Sequence, residues 1–397
     1  MRITQLSTQN QFLSGLGTLE SSLSQTQNQI SSNQAFSTAA QNPAAAGAVS
    51  GYDQVLAQSQ QYTANSNIAQ SNLGVEDSTL SQVQAQLQSL RDIALQANNG
   101  ALTGSNLSAL QTQAAQIQQS LISLANTQNG SGEFIFSGYA TGTQPFSATA
   151  TGASYAGDQG QRQLQIGAGI GVADGDTGSA VFGQIKNGNG TFSVTAAAAN
   201  TGSGLIGAST VTDPAAYDGG TYSIKFTSAT AYQVLDSANN VVSSGSYTSG
   251  QSVAFRGVQV TLSGAPAAGD SFTVAPSANQ SLFSTVQNLI TTLQSGGAGA
   301  NGATQLGNSL TGTINDLDQA LTHLSNVRAS VGGRMNTITT QQSVASTQQL
   351  QLKSSISSLQ SLDYAAAITT LDQQNVTLSA ALQAYSLTQG LSLFKYL

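Results

Sequence analysis

Apolar residues recur at heptad spacing before residue 130, which predicts long helices that each bury one apolar seam. The first seam comprises Leu6, Leu13, Leu16, Leu23 and Ile30. Two more ladders cover residues 80–97 and 107–124, and each precedes an Asn- and Gly-rich run typical of a helix end. Between the first seam and these ladders, Tyr52, Val55, Tyr62 and Ile68 predict another helix, which starts after Asn42-Pro43.

The apolar period changes in the middle of the chain, from residue 134 to about residue 276. Alternating or continuous apolar segments predict strands at 134–136, 222–226, 253–255, 258–262 and 272–274. Turn chemistry separates them, with Gly beside Asn or Asp at 187–190, 218–220 and 269–270. This part of the chain is therefore predicted to be an antiparallel β domain.

Helical spacing returns at Leu282 and continues towards the C-terminus. One register runs from Leu317 to Leu359 and slips near residues 363–367, which predicts a joint between two coiled-coil segments. Beyond the slip, the seam comprises Leu371, Leu378, Leu382 and Tyr385, and the tail adds Leu391 and Phe394.

The predicted fold class is mainly α with an inserted β domain. The N- and C-terminal segments are expected to form an elongated helical bundle or coiled coil, because neither can bury its seam alone. The predicted domains are terminal coiled-coil arms for assembly (1–45 with 364–397), a helical core (46–145 with 276–363) and a β-rich outer domain (146–275). The outer domain is expected to be removable without unfolding the helical body.

Charge is scarce along the 397 residues. Charged residues make up 7% of the chain, against about 25% in a typical globular protein, and the net charge is −7. Ten Lys and Arg residues, spread thinly, offer no basic patch for a phosphate backbone, so nucleic-acid binding is not expected. Cysteine is absent, which excludes disulfides and sulfur-ligated zinc.

The terminal arms are poorest in charge. Residues 1–50 carry only Arg2 and Glu20, and residues 364–397 only Asp372 and Lys395. Gln, Ser, Asn and Thr occupy the faces that charged groups normally hold on a water-exposed helix. We therefore expect both arms to be surrounded by protein in an assembly and loosely ordered in the free subunit. No run approaches about 18 apolar residues, so membrane insertion is not expected; nor is a cleaved signal peptide.

No group of residues indicates catalysis, a cofactor or a metal. His323 is isolated and is interpreted as a surface residue. The pairs Glu76-Asp77 and Asp316/Asp318 are interpreted as solvated charges at helix starts. Residues 202–207 match a dinucleotide-binding spacing, but Pro214 interrupts the helix that should follow. Residues 174–178 resemble a calcium loop, but Ile185 occupies the position of the bidentate Glu. Both segments are interpreted as turns.

Residues 1–145 and roughly 255–397 resemble the flagellin superfamily. The resemblance is carried by MRIT at the N-terminus, LGVEDSTLSQV at 73–83, RDIALQANNG at 91–100 and AALQAYSLTQGLSLFKYL at 380–397. The segment LANTQNGSGEFIFSGY at 124–139, continuing to residue 146, resembles the hook-associated junction proteins more than flagellin. Its distinguishing residues, here called the junction motif, are Glu133, Phe134, Ile135, Phe136, Gly138, Pro145 and Phe146. Residues 31–36 lack the Gly and the basic residue usual in the family.

The resemblance implies a structural subunit of the bacterial flagellum rather than an enzyme. Such a subunit forms the junction layer between the hook, through the first hook-associated protein, and the filament, and is needed for filament attachment and motility. The implied partners are further copies in a ring-like layer, the first hook-associated protein, flagellin, an export chaperone and the type III export apparatus. The implied location is extracellular, in the flagellum. The seam residues of both arms, together with Leu391 and Phe394, are the predicted assembly interface.

Two other functions remain open at this point. A flagellin, the subunit of the long filament, would carry the same helical ends. A secreted adhesin would need a ligand-binding cleft with clustered exposed aromatics in the β domain. Tyr217, Tyr222, Tyr232 and Tyr247 fall in that domain, and they are predicted to be strand residues rather than a binding face.

Overall fold

The computed structural model describes residues 2–99, 104–296 and 301–390. Helices at both ends of the chain flank an antiparallel β region, which confirms the predicted fold class. The chain forms two compact units, Met1–Ala64 with Gln341–Leu397 and Asn65–Thr340. They are called the arm unit and the central unit below. The three-part division at residues 45, 145, 275 and 363 stays a prediction.

Six helices lie in the described ranges. They are α1 (Arg2–Ser32), α2 (Pro43–Ala97), α3 (Gly104–Ala125), α4 (Leu282–Ser295), α5 (Gly302–Gln360) and α6 (Tyr364–Gly390). Helix α2 starts at the predicted place, with Pro43 in its first turn and the Asn42 Oδ1 accepting a 3.1 Å bond from the Ala45 amide. The sequence predicted two helices between residues 43 and 97, but they are one, since no proline interrupts them.

In the arm unit, α1 and α6 pack as an antiparallel pair. The rings of Phe12 and Tyr385 stack with centroids 5.0 Å apart at one end. At the other end, the Tyr364 hydroxyl donates a 2.8 Å bond to the Ile30 carbonyl. Helix α5 ends at Gln360 and α6 begins at Tyr364. Between them, Ser361 forms a β-bridge with Gln34. The predicted slip in the heptad register is therefore a helix break.

The core of the central unit is built mainly from leucines of four helices. The buried leucines are Leu80, Leu87 and Leu90 of α2, Leu107, Leu110 and Leu121 of α3, Leu282, Leu289 and Leu293 of α4, and Leu310, Leu317 and Leu324 of α5. Full burial of one such side chain stabilises the fold by about 1.5–3 kcal/mol. The same cluster contains Phe146, Val181, Phe182 and Ile185. Side chains from the 146–186 segment, which has no α-helix, therefore complete the helical core.

All strand pairs are antiparallel, as predicted. The strands are β1 (Phe146–Thr149), β2 (Gly152–Tyr155), β3 (Gln163–Gly167), β4 (Ile170–Ala173), β5 (Ile185–Lys186), β6 (Phe192–Ala196), β7 (Leu205–Val211), β8 (Tyr222–Ser228), β9 (Ala231–Leu235), β10 (Val241–Ser246), β11 (Ser252–Phe255), β12 (Val258–Ser263), β13 (Ser271–Pro276) and β14 (Asn279–Gln280). A π-helix, Ser179–Gly183, lies between β4 and β5. The strand predicted at 134–136 is wrong: Phe134 forms only an isolated bridge with Gln128.

Strands β6 to β13, residues 192–276, enclose a second core. From here on, the outer domain means these residues only, a shorter segment than the predicted 146–275. A five-stranded sheet, ordered β10-β9-β8-β13-β6, and a three-stranded sheet, ordered β11-β12-β7, supply its side chains. Phe226 lies at its centre, edge-to-face with Tyr247 at 5.0 Å and Phe272 at 6.0 Å. Tyr222 and Tyr247 are buried there, while Tyr217 and Tyr232 pack against the cluster. Tyr222 on β8 and Tyr232 on β9 are strand residues, as predicted, whereas Tyr217 and Tyr247 lie outside the strands.

The outer domain joins the rest of the central unit through a two-stranded neck, β5 paired with β14. Asn187 reinforces the neck, accepting a 2.8 Å bond from the Ala278 amide on its Oδ1. The domain is also clamped to α5. Buried Asn308 accepts from the Ile206 amide at 2.8 Å and donates to the Gly204 carbonyl at 2.9 Å. Asp316, two turns further along, accepts a 2.7 Å bond from the Gly188 amide.

Replacing residues 192–274 with a short Gly/Ser linker is expected to preserve cooperative unfolding of the helical part. The reason is that the outer domain has its own core and its ends are adjacent, Ser193 pairing with Ala275. Replacing residues 146–275 is expected to lower the unfolding midpoint, because it also deletes Phe146, Val181 and Phe182 from the helical core. Circular dichroism at the helical signal during heating measures both. Equal midpoints for the two variants would contradict this assignment.

Candidate assembly surface and junction motif

The α1–α6 pair has one partly covered seam in steps of three and four residues. On α1 it comprises Phe12, Leu16, Leu19, Leu23, Thr26 and Ile30; on α6 it comprises Ala367, Leu371, Gln374, Leu378, Ala381 and Tyr385. These spacings are those of a coiled coil, in which the seam residues of one helix pack against the other. Of the predicted interface, Leu16, Leu23, Ile30, Leu371, Leu378 and Tyr385 lie on this intramolecular seam.

The other predicted interface residues are exposed. Leu6 is 65% exposed, and Leu13 and Leu382 are each 48% exposed. Each lies one residue after a seam position; Leu13 follows Phe12, for example, and Leu382 follows Ala381. The prediction that these leucines lie in the seam is therefore wrong. In an antiparallel pair, these flanking positions of the two helices lie on the same side. Leu6, Leu13 and Leu382, here called the flanking strip, therefore form an apolar edge; Leu391 and Phe394 lie outside the described residues.

Ion pairs are distributed unevenly between the two units. The five ion pairs found among the described side chains all lie in the central unit: Arg91–Asp318, Arg162–Glu133, Arg162–Asp174, Arg328–Asp77 and Arg334–Asp176. The arm unit holds its helices together with apolar contacts and neutral hydrogen bonds, such as that from the Gln9 amide to the Tyr385 hydroxyl at 3.4 Å. The surface offered by the arms is thus apolar and amide-rich.

The junction motif is a sequence of tight turns that two asparagine side chains hold in place. Asn126, after the end of α3, accepts from the Phe146 amide at 2.9 Å and donates to the Phe146 carbonyl at 2.8 Å. Asn129 accepts from the Ser131 and Glu133 amides, both at 3.0 Å. Within the apolar run, the Phe134 amide donates to the Thr141 carbonyl at 2.9 Å and the Ile135 amide to the Thr127 carbonyl at 3.1 Å. The backbone of the run is therefore satisfied by turns and loops rather than by a neighbouring strand.

Aromatic rings anchor the motif to the core. Phe136 is fully buried and meets Phe182 edge-to-face with centroids 5.1 Å apart. Phe146 contacts Phe182 at 5.5 Å and Phe283 at 5.0 Å. The Tyr155 hydroxyl lies 3.0 Å from the Phe136 carbonyl oxygen. Pro145 is buried as well, and Phe134 and Ile135 are half-buried. The motif therefore serves the fold of the central unit directly.

Gly138 occupies a position where no side chain fits. Its φ is +73°, and a Cβ there would collide with Asp158. The Asp158 Oδ1 accepts bonds from the Tyr139 amide at 3.0 Å and the Gly160 amide at 2.7 Å, and these bonds lower the pKa of Asp158. Tyr139 is held over this loop by its own hydroxyl, 3.1 Å from the Gln161 carbonyl, and stays 62% exposed. No pattern in the sequence distinguishes Tyr139 from the other residues of the 124–139 segment.

Glu133 joins the motif to a charged network. It accepts from Asn129 and from Arg162, each at 3.2 Å, and these hydrogen bonds lower the pKa of Glu133. Arg162 also pairs with Asp174 at 2.7 Å, and Asp176 pairs with Arg334. Both carboxylates of the segment that resembles a calcium loop therefore face arginines. The 202–207 segment forms a turn leading into β7, with the Gly202 amide donating to Asp270 at 3.0 Å.

The charges interpreted as solvated helix starts are placed differently in the structure. Glu76 is not at a helix start, because α2 begins 33 residues earlier, at Pro43. Its side chain is also buried, with 1% of its surface exposed. Asp77 pairs with Arg328 at 2.8 Å, and Asp318 pairs with Arg91 at 2.6 Å. Burial raises the pKa of Asp316. His323 is not free at the surface either: its Nε2 lies 2.9 Å from the Ala180 carbonyl of the π-helix.

Two open surface grooves are lined mainly by Gln, Ser and Asn with a few apolar side chains; the first also contains Asp53 and Lys353, and the second contains Asp92. None of the helices in the described ranges is both long and apolar enough to cross a bilayer.

Comparisons with known proteins match three segments of the chain. The profile of the bacterial flagellin N-terminal helical region matches residues 3–141, and that of the C-terminal helical region matches residues 314–397. The profile of the D2-like domain of flagellar hook-associated protein 1 matches residues 195–276, which lie within the outer domain.

The chain is also similar to individual hook-associated proteins. Flagellar hook-associated protein 3 of Escherichia coli is 31% identical over 159 residues, which are 40% of this chain and 50% of the relative. The chain thus spans about half the length of the curated relatives it matches. The crystal structure of Xanthomonas campestris FlgL is 32% identical with a TM-score of 0.72, over 77% of this chain and 99% of that chain. The flagellar junction protein FlgL from Legionella pneumophila is 28% identical with a TM-score of 0.72, over 79% and 100%.

Phe136→Ala is expected to lower the free energy of unfolding by about 3–5 kcal/mol, the usual cost of removing a fully buried aromatic ring. Tyr139→Ala, three residues away and largely exposed, is the matched control and is expected to change it by less than about 1 kcal/mol. Urea unfolding followed by circular dichroism measures both. Equal effects would show that the motif does not anchor the core through Phe136.

Proposed function

Because the chain belongs to the FlgL family of flagellar hook-associated proteins, we propose that it is a structural subunit of the bacterial flagellum that forms the junction layer between hook and filament. It is a component of an extracellular assembly, required for filament attachment and motility. The observation that carries the proposal is the arm unit, which combines an exposed apolar edge with faces almost free of charge.

The chemistry of the arms suits burial by neighbouring subunits. Leu6, Leu13 and Leu382 remain largely exposed in the single subunit. Covering them with a neighbour would stabilise the assembly by a free energy of about 25 cal/mol for every Å² of apolar surface buried. Gln, Ser, Asn and Thr on the other faces can exchange water for hydrogen bonds with neighbouring chains. Burying Lys or Glu at those positions would cost far more, because an ion loses most of its hydration.

The proposed partners of the arms are other copies in the same layer, the first hook-associated protein on the hook side and flagellin on the filament side. The match of the outer domain to a domain of hook-associated protein 1 supports a place beside that protein. Before assembly the flanking strip needs a cover in the cell, and a dedicated export chaperone is the proposed one. The chain would leave the cell through the flagellar type III apparatus.

The adhesin alternative is not supported by the outer domain. Its tyrosines are buried or packed against its core, so they do not form an exposed aromatic face. The filament-subunit alternative is less favoured, because the relatives at 31% and 32% identity are hook-associated protein 3 and FlgL.

Deletion of the gene tests the proposed junction role. We expect flagellin to be exported into the medium while no filaments are attached, and the cells to be non-motile. Deletion of a filament subunit would instead remove flagellin from the medium. Attached filaments in the deletion strain, seen by electron microscopy, would contradict the proposal.

Leu13→Asp and Leu382→Asp test the flanking strip. Each is expected to abolish filament attachment when expressed in the deletion strain, because a carboxylate would enter an apolar interface. The thermal unfolding of the purified subunit should stay nearly unchanged, since both side chains are half exposed. These positions test assembly more cleanly than Leu378, which lies on the intramolecular seam.

The matched control for both variants is Val241→Asp, which adds the same charge at a 54% exposed valine on β10 of the outer domain. It is expected to support attachment. Normal filaments with both arm variants would show that the flanking strip is not an assembly surface.

A further inference from the structure

The carboxyl group of Glu76 is buried without a donor. It is 1% exposed on α2, in the interior of the central unit, and neither of its oxygens accepts a hydrogen bond from a donor on the described residues. An ionised carboxylate sealed from water in this way is very costly. A buried polar group left unpaired in a native fold calls for a physical explanation.

Two charged groups face this carboxyl. Asp176, on the loop between β4 and the π-helix, is the first and carries the same formal charge as an ionised Glu76. Arg334 on α5 is the second, but its Nη2 is engaged in the ion pair with Asp176, and its Nε has no partner. Gly175 lies between Asp174 and Asp176 in the same loop. A Cβ atom built on Gly175 would lie 3.9 Å from the Glu76 Oε2, so the loop backbone is close to this carboxyl group.

Two carboxylates side by side in a region of low dielectric cannot both be ionised. Asp176 is the one that has donors, because Gln161 donates a 2.7 Å bond to its Oδ1 and Arg334 pairs with its Oδ2. Glu76 has none. Burial raises the pKa of Glu76 well above its ordinary value of 4.5, and the Asp176 carboxylate adds to the rise, while Arg334 opposes it.

We propose that Glu76 is protonated in the folded protein at neutral pH and donates a hydrogen bond to the Asp176 carboxylate. A chain of three groups, carboxyl, carboxylate and guanidinium, then connects α2 to α5 through the 174–178 loop. We call it the acid clasp. The proton supplies the donor that neither oxygen of Glu76 otherwise has, and Asp176 keeps its charge for Arg334.

The acid clasp holds a loop on which the junction motif depends. Asp174, two residues before Asp176, pairs with Arg162, which also bonds to Glu133 of the motif. Gly178, two residues after Asp176, donates its amide to the Phe136 carbonyl at 2.8 Å. Loss of the Glu76 proton would place two negative charges against this loop and weaken its attachment to the helices. The fold of the motif is thereby sensitive to alkaline pH.

The direction of the pH effect follows from linkage. The folded protein binds the Glu76 proton more tightly than the unfolded chain does. The stabilisation of the fold by this proton is therefore complete at a pH below the ordinary Glu pKa of 4.5. It is lost as pH rises from that value towards the folded pKa. Across this window unfolding releases one proton, and the unfolding equilibrium constant increases about tenfold for each pH unit.

Comparison with Glu76→Gln isolates this effect. The amide keeps the shape and can donate to Asp176, but it has no proton to lose. We expect the ratio of the unfolding constants, wild type over Glu76→Gln, to increase about tenfold per pH unit above about pH 4.5 in urea titrations of the full chain. Contributions from other groups, including Asp316, cancel in this ratio. A ratio independent of pH would overturn the proposal.

Infrared spectroscopy tests the protonation directly and does not need a folded variant. At neutral pH the wild type labelled with carboxyl-¹³C glutamate should show one protonated carboxylic C=O band that shifts with the label. The band should disappear in Glu76→Gln and persist in Asp316→Asn, which removes another buried carboxyl group. Only ionised glutamate bands in the wild type, as a bound cation beside Glu76 would produce, would overturn the proposal.

Discussion

Two helices packed along one seam leave their flanking leucines in water, and this constraint governs the arm unit. The α1–α6 seam covers Leu16, Leu23 and Leu378 only partly, and it does not reach Leu6, Leu13 or Leu382. A soluble helix pair would place Lys and Glu beside its seam, because long charged side chains shield apolar edges. Here those positions are mostly amides and hydroxyls. A chain built in this way gains stability from each neighbour that covers the arms, and its lack of charge keeps the cost of that burial small.

The central unit follows a different rule. Its helices bury their leucines within the chain, and most of its buried polar groups have partners, the Glu76 carboxyl and the Arg334 Nε being exceptions. Three asparagine side chains each form hydrogen bonds with two backbone groups: Asn126, Asn129 and Asn308. These bonds allow irregular backbone to lie against the core. Arginines pair with acids on neighbouring elements. The central unit is therefore complete as a single subunit, whereas the arm unit is not.

Periodicity predicted the helical character of both ends of the chain, the start of α2 at Pro43, the break before α6 and four of the eight strands of the outer domain. These features depend on local spacing and on proline and glycine, which a single sequence displays. Periodicity divided α2 into two helices, and it did not separate α4 from α5. The other failures share one cause, which is that contacts distant in sequence decided the outcome. Residues 134–136 have a strand-like composition, but the Phe136 carbonyl accepts from the Gly178 amide, 42 residues further along the chain, rather than from a neighbouring strand. Leu13 and Leu16 are three residues apart and look equivalent, yet only one faces α6.

Burial of charge was the least predictable property. Glu76 sits in a polar stretch with Asp77 and resembles a solvated pair, and only the tertiary structure shows that one of them is sealed in the core. The junction motif was recognised from its resemblance, but no pattern in the sequence indicated that Phe136 and Phe146 complete an aromatic cluster with Phe182 and Phe283, which lie far along the chain.

Hydrogen exchange measured on the free subunit and on the subunit incorporated into purified hook–filament junctions tests the account most directly. We predict that amides of residues 6–30 and 364–387 are less protected in the free subunit than those of residues 80–97 and 107–124. Their protection should rise to the same level after incorporation, because neighbouring chains then cover the arms. Equal protection of arms and core in the free subunit, unchanged by incorporation, would contradict the claim that the arms complete their packing only in the assembly.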